Sequence, residues 1–435
     1  MGLSKRSLAL GASALVGASI IATGAGVRLS KSWAVFQPSP KETVDEVWQV
    51  INSDYVDGTF NGLDWRKVRT QYLNRTYPSQ KEAYSAIREM LEKLGDPYTR
   101  FLDPEQFKSM KIDTSGELTG VGIQIAQDEK TKEIKIIAPI DGSPASKAGL
   151  LAKDVLLKVG DKATKGMDIN EVVALIRGPV NTNVTLTILR GGQTKVFNLK
   201  RERIELKAVR SSVKTSSAGP IGYIRLSQFS SHAPDEMRKA IRELSQKNVA
   251  GFILDLRSNP GGLLHASTEI ARMWINDAPI VSTVDRRGIS ERVTAGRSSL
   301  TDKPLVVLVD GGSASASEIL SGALQEDDRA VLVGTKTFGK GLVQSVRPLG
   351  DGSGMAVTIA KYFTPSGRDI NKKGIEPDYK VELTEAQIKA ITPDIIGTDR
   401  DLQYAKALSV LNQQIASGQK LPLKSEEPKP PSKSS

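Results

Sequence analysis

Four short apolar runs, Ile221 to Leu226, Phe252 to Leu256, Leu305 to Val309 and Val331 to Val333, alternate with helical periodicity at Pro234–Gln246, Leu263–Trp274 and Ser317–Gln325. This order limits the fold more than any other feature of the chain. A run of three to six residues, apolar on both faces, suits a strand that is covered on both sides. Parallel neighbours need crossover connections, and the intervening helices supply them. The region from Gly219 onward is therefore expected to be an α/β domain. A further strand, Met355 to Phe363, follows the turn Asp351-Gly352-Ser353-Gly354.

A chain of 435 residues has room for about three domains. From Thr43 to about Met110 the period is helical, with Val44, Val47, Trp48 and Ile51 on one face and Tyr84, Ile87 and Leu91 on another. Gly95-Asp96-Pro97 breaks it as a turn. From Glu117 the period shortens to two: Val121, Ile123 and Ile125 alternate, then Ile134 and Ile136. Ser143 to Leu150 reads as a short helix closed by Gly149, and Val155 to Val159 as a strand. Asp168 with Glu171 forms a helix-start box, and that helix ends at Gly178-Pro179. Arg190-Gly191-Gly192-Gln193 between two apolar strands signals a hairpin.

Basic Lys5 and Arg6, an Ala/Gly-rich apolar run from Leu8 to Val27, and Ser32-Trp33-Ala34 together read as a secretory leader cut after Ala34. An uncleaved anchor is the competing reading. The net charge is +11, and Lys5, Arg6, Arg28 and Lys31 of this leader carry four of those charges. No basic run interleaves with aromatics, so nucleic acid is not an expected partner. The remaining basic excess allows peripheral attraction to an anionic membrane surface. The absence of cysteine excludes disulfides, thiolate metal sites and cysteine nucleophiles. No His-Glu-x-x-His or phosphate-loop motif occurs, so neither metal nor cofactor is expected. Residues 420–435, rich in Pro, Lys and Ser, are expected to be disordered.

The chemistry gathers in Gly312-Ser313-Ala314-Ser315-Ala316-Ser317-Glu318 and in Phe338-Gly339-Lys340-Gly341-Leu342-Val343-Gln344, on either side of a strand. Serine becomes a useful nucleophile only when a neighbour takes its proton. Lysine can do so if burial makes it neutral. The chain has two histidines, His232 and His265, so a lysine base is plausible. Residue type alone does not choose among Ser313, Ser315 and Ser317, or between Lys336 and Lys340. Phe338 and Leu342 are candidates for the apolar cover that Lys340 would need. Asp255 and Arg257 read as a structural ion pair.

These segments, with Gly95-Asp96-Pro97-Tyr98-Thr99, Gly120-Val121-Gly122-Ile123, Ser143-Pro144-Ala145 and Asp255-Leu256-Arg257-Ser258-Asn259-Pro260-Gly261-Gly262, occur in an order that resembles the carboxy-terminal processing peptidases, also called tail-specific proteases. The resemblance implies a multidomain α+β and α/β fold. Its parts would be a leader (1–34), a helical N-terminal domain (35–110), an inserted PDZ-like β-rich domain (111–203), a crotonase-like serine peptidase core (204–385) and a C-terminal helical segment (386–419). It implies Ser315 as nucleophile, Lys340 as base and Gln344 as the group that orients it. The N–H groups of Gly261 and Ala316 would form the oxyanion hole. Gly120, Val121, Gly122 and Ile123 would hold a substrate's terminal carboxylate, and Val172, Val173 and Ile176 would wall the pocket for its last side chain. Arg177 would couple tail binding to the core.

The expected partners are proteins with unstructured apolar C-termini, in a bacterial periplasm or a thylakoid lumen, and a homo-oligomer is compatible with the sequence. Two other classes compete: a PDZ adaptor or chaperone with an inactive core, and an acyl-CoA enzyme of crotonase type. The intact Ser, Lys, Gln and Gly set argues against the first, and the secretory leader against the second. His265 in a histidine-based triad is a further alternative.

Overall fold

The computed structural model describes residues 38–418 apart from 129, 130, 289 and 393. The expected leader and the tail 420–435 lie outside the described residues. The described residues form one compact unit.

The first described helix, Pro40–Asp54, begins three residues before Thr43, where the helical period starts in the sequence. Its start is fixed by a capping box: the Ser39 N–H donates to Glu42 Oε2 at 2.6 Å, and the Glu42 N–H donates to Ser39 Oγ at 3.3 Å. With helices Trp65–Leu73 and Gln80–Glu92 it buries Val44, Val47, Ile51, Ile87 and Leu91. Trp48 and Trp65 stack with ring centroids 6.4 Å apart. This core is closed by Met355 and Val357 of the strand Gly354–Phe363, so the helical region is built onto a strand far along the chain. The helix Pro104–Ser115 then leads out of it.

The next region hangs on a two-stranded ribbon, Glu117–Gly120 paired antiparallel with Glu202–Glu205. Between these strands lies a six-stranded antiparallel sheet with the helix Ile169–Ile176 packed on it. The strand Ile123–Gln127 is at the sheet's edge, bonded on one side to Ile134–Pro139. The Gly191-Gly192 hairpin is present, with φ of 56° and 79° at its two glycines and Arg190 opposite Gln193.

The third region contains a six-stranded sheet in the order Val209–Ser216, Gly219–Leu226, Phe252–Asp255, Leu305–Val309, Val331–Gly334, Tyr379–Lys380. The first pair is antiparallel and the rest are parallel. Helices Ala233–Gln246, Leu264–Arg272 and Ala316–Glu326 cover one face. Helix Leu402–Ser417 covers the other, burying Tyr404, Ala407, Val410 and Leu411. A second sheet centres on Gly354–Phe363, which pairs with Pro279–Asp285, Leu342–Pro348 and Arg100–Leu102. Through Arg100–Leu102, a strand that precedes the inserted domain completes a sheet that follows it.

Candidate active site

The helix Ala316–Glu326 starts at the carboxyl edge of the parallel sheet, and the chain reaches it through the three serines. Ser313 and Ser317 are both 0% exposed. Ser313 Oγ donates to the Leu256 carbonyl at 2.9 Å, and Ser317 Oγ donates to the Asn259 carbonyl at 2.9 Å. Both hydroxyls therefore tie the serine loop to the Pro-Gly-Gly loop. Ser317, with its hydroxyl committed to this bond, does not cap the helix that follows. The cap position falls to Ser315, which is half-buried and opens on a cleft of about 850 Å³. Ser315 has φ 53° and ψ −111°, a conformation a side chain seldom adopts. Such a residue stores about 1–3 kcal/mol of strain and is held by its surroundings.

Glu318 is what holds it. Its fully buried carboxylate accepts the Ser315 and Lys340 N–H groups on Oε2, both at 2.9 Å. On Oε1 it accepts the Gly339 N–H at 2.7 Å and the Thr337 hydroxyl at 2.6 Å. One side chain thus fixes the serine and lysine segments against each other. The sequence reading missed this role. A Glu three residues after a helix-start Ser is a capping-box signal, and it gives no hint of a partner more than twenty residues on.

Lys340 lines the same cleft as Ser315, Ala316 and Gly261. Its amine is held below the ordinary lysine value, chiefly by burial and then by the positive charge of Arg100; Asp96 and Glu318 pull the other way. Lys336 is 51% exposed on its side chain and pairs with Glu376 at 2.9 Å. Phe338 does not cover Lys340: it is 56% exposed, because Gly339 at φ 90° turns the chain between them. The aromatic cover is Tyr98, whose ring centroid lies 5.1 Å from Lys340 Nζ. Gln344 also lines the cleft, but among the described residues its partner is Thr358 Oγ1 at 3.4 Å and not Lys340. His265 is exposed on the helix Leu264–Arg272, and no histidine is among the residues lining the cleft.

The Ser315 carbonyl accepts from Glu318 and Ile319 N–H and from the Tyr362 hydroxyl at 3.2 Å. The Ala316 N–H, across the same planar peptide, must point the other way. It is the first amide of its helix, where no intrahelical acceptor exists. Gly261 packs directly against this segment: a Cβ there would lie 2.7 Å from the Ala314 carbonyl oxygen and 3.0 Å from Ala316 N. Its own N–H donates to Asn259 Oδ1 at 2.9 Å. Serving as an oxyanion donor would require Gly261 to share or release that bond.

Asp255 and Arg257 form more than a pair. Arg257 is clamped by Asp255 and by Asp401, with Nη2 at 2.7 Å from each carboxylate, and Nη1 also reaches Gln403 at 3.2 Å. Tyr223 donates to Asp255 at 2.7 Å. This buried network fixes the strand end from which the Pro-Gly-Gly loop departs.

In the inserted domain the Val121 and Gly122 carbonyls accept from Ala145 and Ile140 N–H at 2.9 and 2.8 Å. Peptide planarity then turns the Gly122 and Ile123 N–H groups to the opposite side. Gly122 has φ 78°, and a Cβ there would come within 2.2 Å of Ser143 Cβ. Gly120 ends the ribbon strand and pairs with Glu202. Val172 and Ile176 are buried in the domain core, and Val173 is half-buried. Asn170, on the first turn of the same helix, lines the main cleft. Arg177 instead borders a second cavity of about 670 Å³, with Lys108, Lys111, Leu118, Thr119 and Arg203.

Residues 220–381 match the profile of peptidase family S41, and residues 135–190 match that of a PDZ domain. A carboxyl-terminal-processing protease of Synechocystis is 47% identical over 373 residues, spanning 85% of this chain and 86% of that protease. A chloroplastic C-terminal processing peptidase of Tetradesmus obliquus is 38% identical, spanning 81% of this chain and 78% of that peptidase. A solved photosystem II D1 C-terminal processing protease is 36% identical with a TM-score of 0.54, over 87% of this chain and 99% of that one. The fold is thus a PDZ domain joined to an S41 peptidase domain, and the chain belongs to the carboxyl-terminal-processing serine proteases of peptidase family S41.

Proposed function

We propose that this chain is an exported endopeptidase that captures a protein's C-terminus on its PDZ domain and cuts upstream of it with a Ser315–Lys340 dyad. One observation carries the reading. Of the three serines in the loop, Ser315 alone faces the cleft, and it shares that cleft with a lysine whose amine is shifted toward the neutral form. Neutral Lys340 Nζ takes the Ser315 hydroxyl proton as Oγ bonds to the substrate carbonyl carbon. The oxyanion is met by the Ala316 N–H, with Gly261 as the second donor if it parts from Asn259. Lys340 then gives its proton to the leaving amine as the C–N bond breaks. In the second half it deprotonates a water, which releases the acyl group and returns the proton to Ser315.

An extended tail would add as a strand beside the open edge Ile123–Gln127, with its carboxylate on the Gly122 and Ile123 N–H groups. The chloroplastic relatives and the processing protease of the photosystem II D1 protein support a tail presented in an extracytoplasmic space, on an envelope or a photosystem II protein. Among the described residues no helix is long and apolar enough to cross a membrane. The test incubates wild type, Ser315→Ala and Lys340→Ala with an unstructured substrate ending in Ala-Ala or in Asp-Asp, and follows intact masses. Wild type alone should release a C-terminal fragment, faster from the apolar tail. Cleavage by Ser315→Ala would end the dyad reading.

A further inference from the structure

The turn Gly95-Asp96-Pro97-Tyr98-Thr99-Arg100 belongs to the helical region, and no step above uses it. Its contacts lead to the lysine. Asp96 Oδ2 accepts from Thr358 Oγ1 at 2.6 Å and from Thr99 Oγ1 at 2.7 Å, and Asp96 Oδ1 accepts the Tyr98 N–H at 3.0 Å. The Thr358 N–H donates back to Thr99 Oγ1 at 3.1 Å. Thr99 and Thr358 are both buried, so these bonds are shielded from water. Gln344 joins the chain through Thr358. Arg100 and Phe101 line the cleft while Tyr98 does not, so the Tyr98 ring covers the Lys340 amine without taking the substrate's space.

We propose that this turn is a positioning element for the lysine base: Asp96 pins it to the core strand, Tyr98 keeps water off the Lys340 amine, and Arg100 places a second positive charge beside it. This rests on the dyad reading above. Two effects of the ring oppose each other. Its face attracts an ammonium through the ring quadrupole. Its bulk removes water, which disfavours the ammonium, and burial is the dominant influence on Lys340. The ring is one of the groups that bury the amine, and on that ground it is assigned to the side of the neutral base. The other groups acting on Lys340 are Arg100, Asp96 and Glu318. The Tyr98 and Tyr362 phenols are both pushed above the ordinary tyrosine value, so neither titrates near neutral pH.

The experiment is kcat/KM against pH for the purified protein and for Tyr98→Phe, Tyr98→Ala, Arg100→Gln and Lys340→Ala. Tyr98→Phe should superimpose on wild type. Tyr98→Ala should move the acidic limb up by about one pH unit, a loss of about tenfold below the limb, with the alkaline plateau unchanged. Arg100→Gln, at an exposed position, should move the limb the same way at low salt. An unmoved limb in Tyr98→Ala, or an equal loss at every pH, overturns the proposal. Should Tyr98→Ala not fold, Arg100→Gln decides in its place, and an unmoved limb there has the same force. If Lys340→Ala keeps its activity, the dyad reading has failed; if it is inactive and the limbs stay put, this inference alone has failed.

Discussion

Replacing Glu318 by glutamine changes one atom and should disable the site. The carboxylate accepts four hydrogen bonds, two on each oxygen. An amide keeps one oxygen and presents an NH2 in place of the other. If the NH2 faces Ser315 and Lys340, two buried N–H donors lose their acceptor. If it faces Thr337 and Gly339, the Thr337 hydroxyl can turn to accept, since it already accepts from the Ile375 N–H at 2.7 Å. The Gly339 N–H is then left alone. The second orientation is cheaper. One unsatisfied buried donor costs about 1–3 kcal/mol, and the three surviving bonds lose their charge assistance. A total of about 3–4 kcal/mol follows, measured as the change in unfolding free energy in urea. Activity should fall further than stability alone explains, because the two bonds that hold the Ser315 and Lys340 segments to a common oxygen lose their charge assistance and the Gly339 N–H, next to Lys340, is released. Whatever activity remains should have its acidic limb at lower pH, since the negative charge that favours ammonium on Lys340 is gone. A variant within about 1 kcal/mol of wild type, with an unmoved limb, would refute this account.

Two further outcomes are expected. Ser315→Gly should be more stable than Ser315→Ala by about 1 kcal/mol in the same urea titration, because glycine relieves the φ 53° strain and loses part of that gain to unfolded-chain entropy. Lys340→Met should raise the unfolding midpoint at pH 7. The folded amine titrates below its unfolded value of 10.5, so the unfolded chain binds more protons between those two values and wild-type stability rises with pH there. The advantage of Lys340→Met should therefore shrink as pH climbs toward 10.5, and a gain that is flat with pH would contradict the assignment.

The parallel sheet was legible because its strands are apolar on both faces, and Leu305–Val309 is buried at every position. Strands with one wet face were not. Val209–Ser216 and Ser290–Thr294 are mostly exposed and polar, and only their partners' registers make them strands. Arg100–Leu102 was hidden for another reason: three residues carry no period, and the strand exists because Gly354–Phe363 accepts it. In the site, resemblance led to Ser315 and Lys340, while the packing that sets them apart from Ser313, Ser317 and Lys336 is tertiary. Phe338 was a reasonable cover for the lysine by proximity in sequence. The ring that covers it, Tyr98, comes from another part of the chain and no local pattern could have named it.

Arg257 has consequences for timing. One of its carboxylates stands two residues before it and the other 144 residues after it. A polypeptide is made from its N-terminus. Until Asp401 has emerged, the guanidinium has half its counter-charge, and the strand end that launches the Pro-Gly-Gly loop has no lid. Helix Leu402–Ser417, capped by Asp401, thus completes this network: a chain that stops short of Asp401 carries Ser315 and Lys340 without the second carboxylate that clamps Arg257.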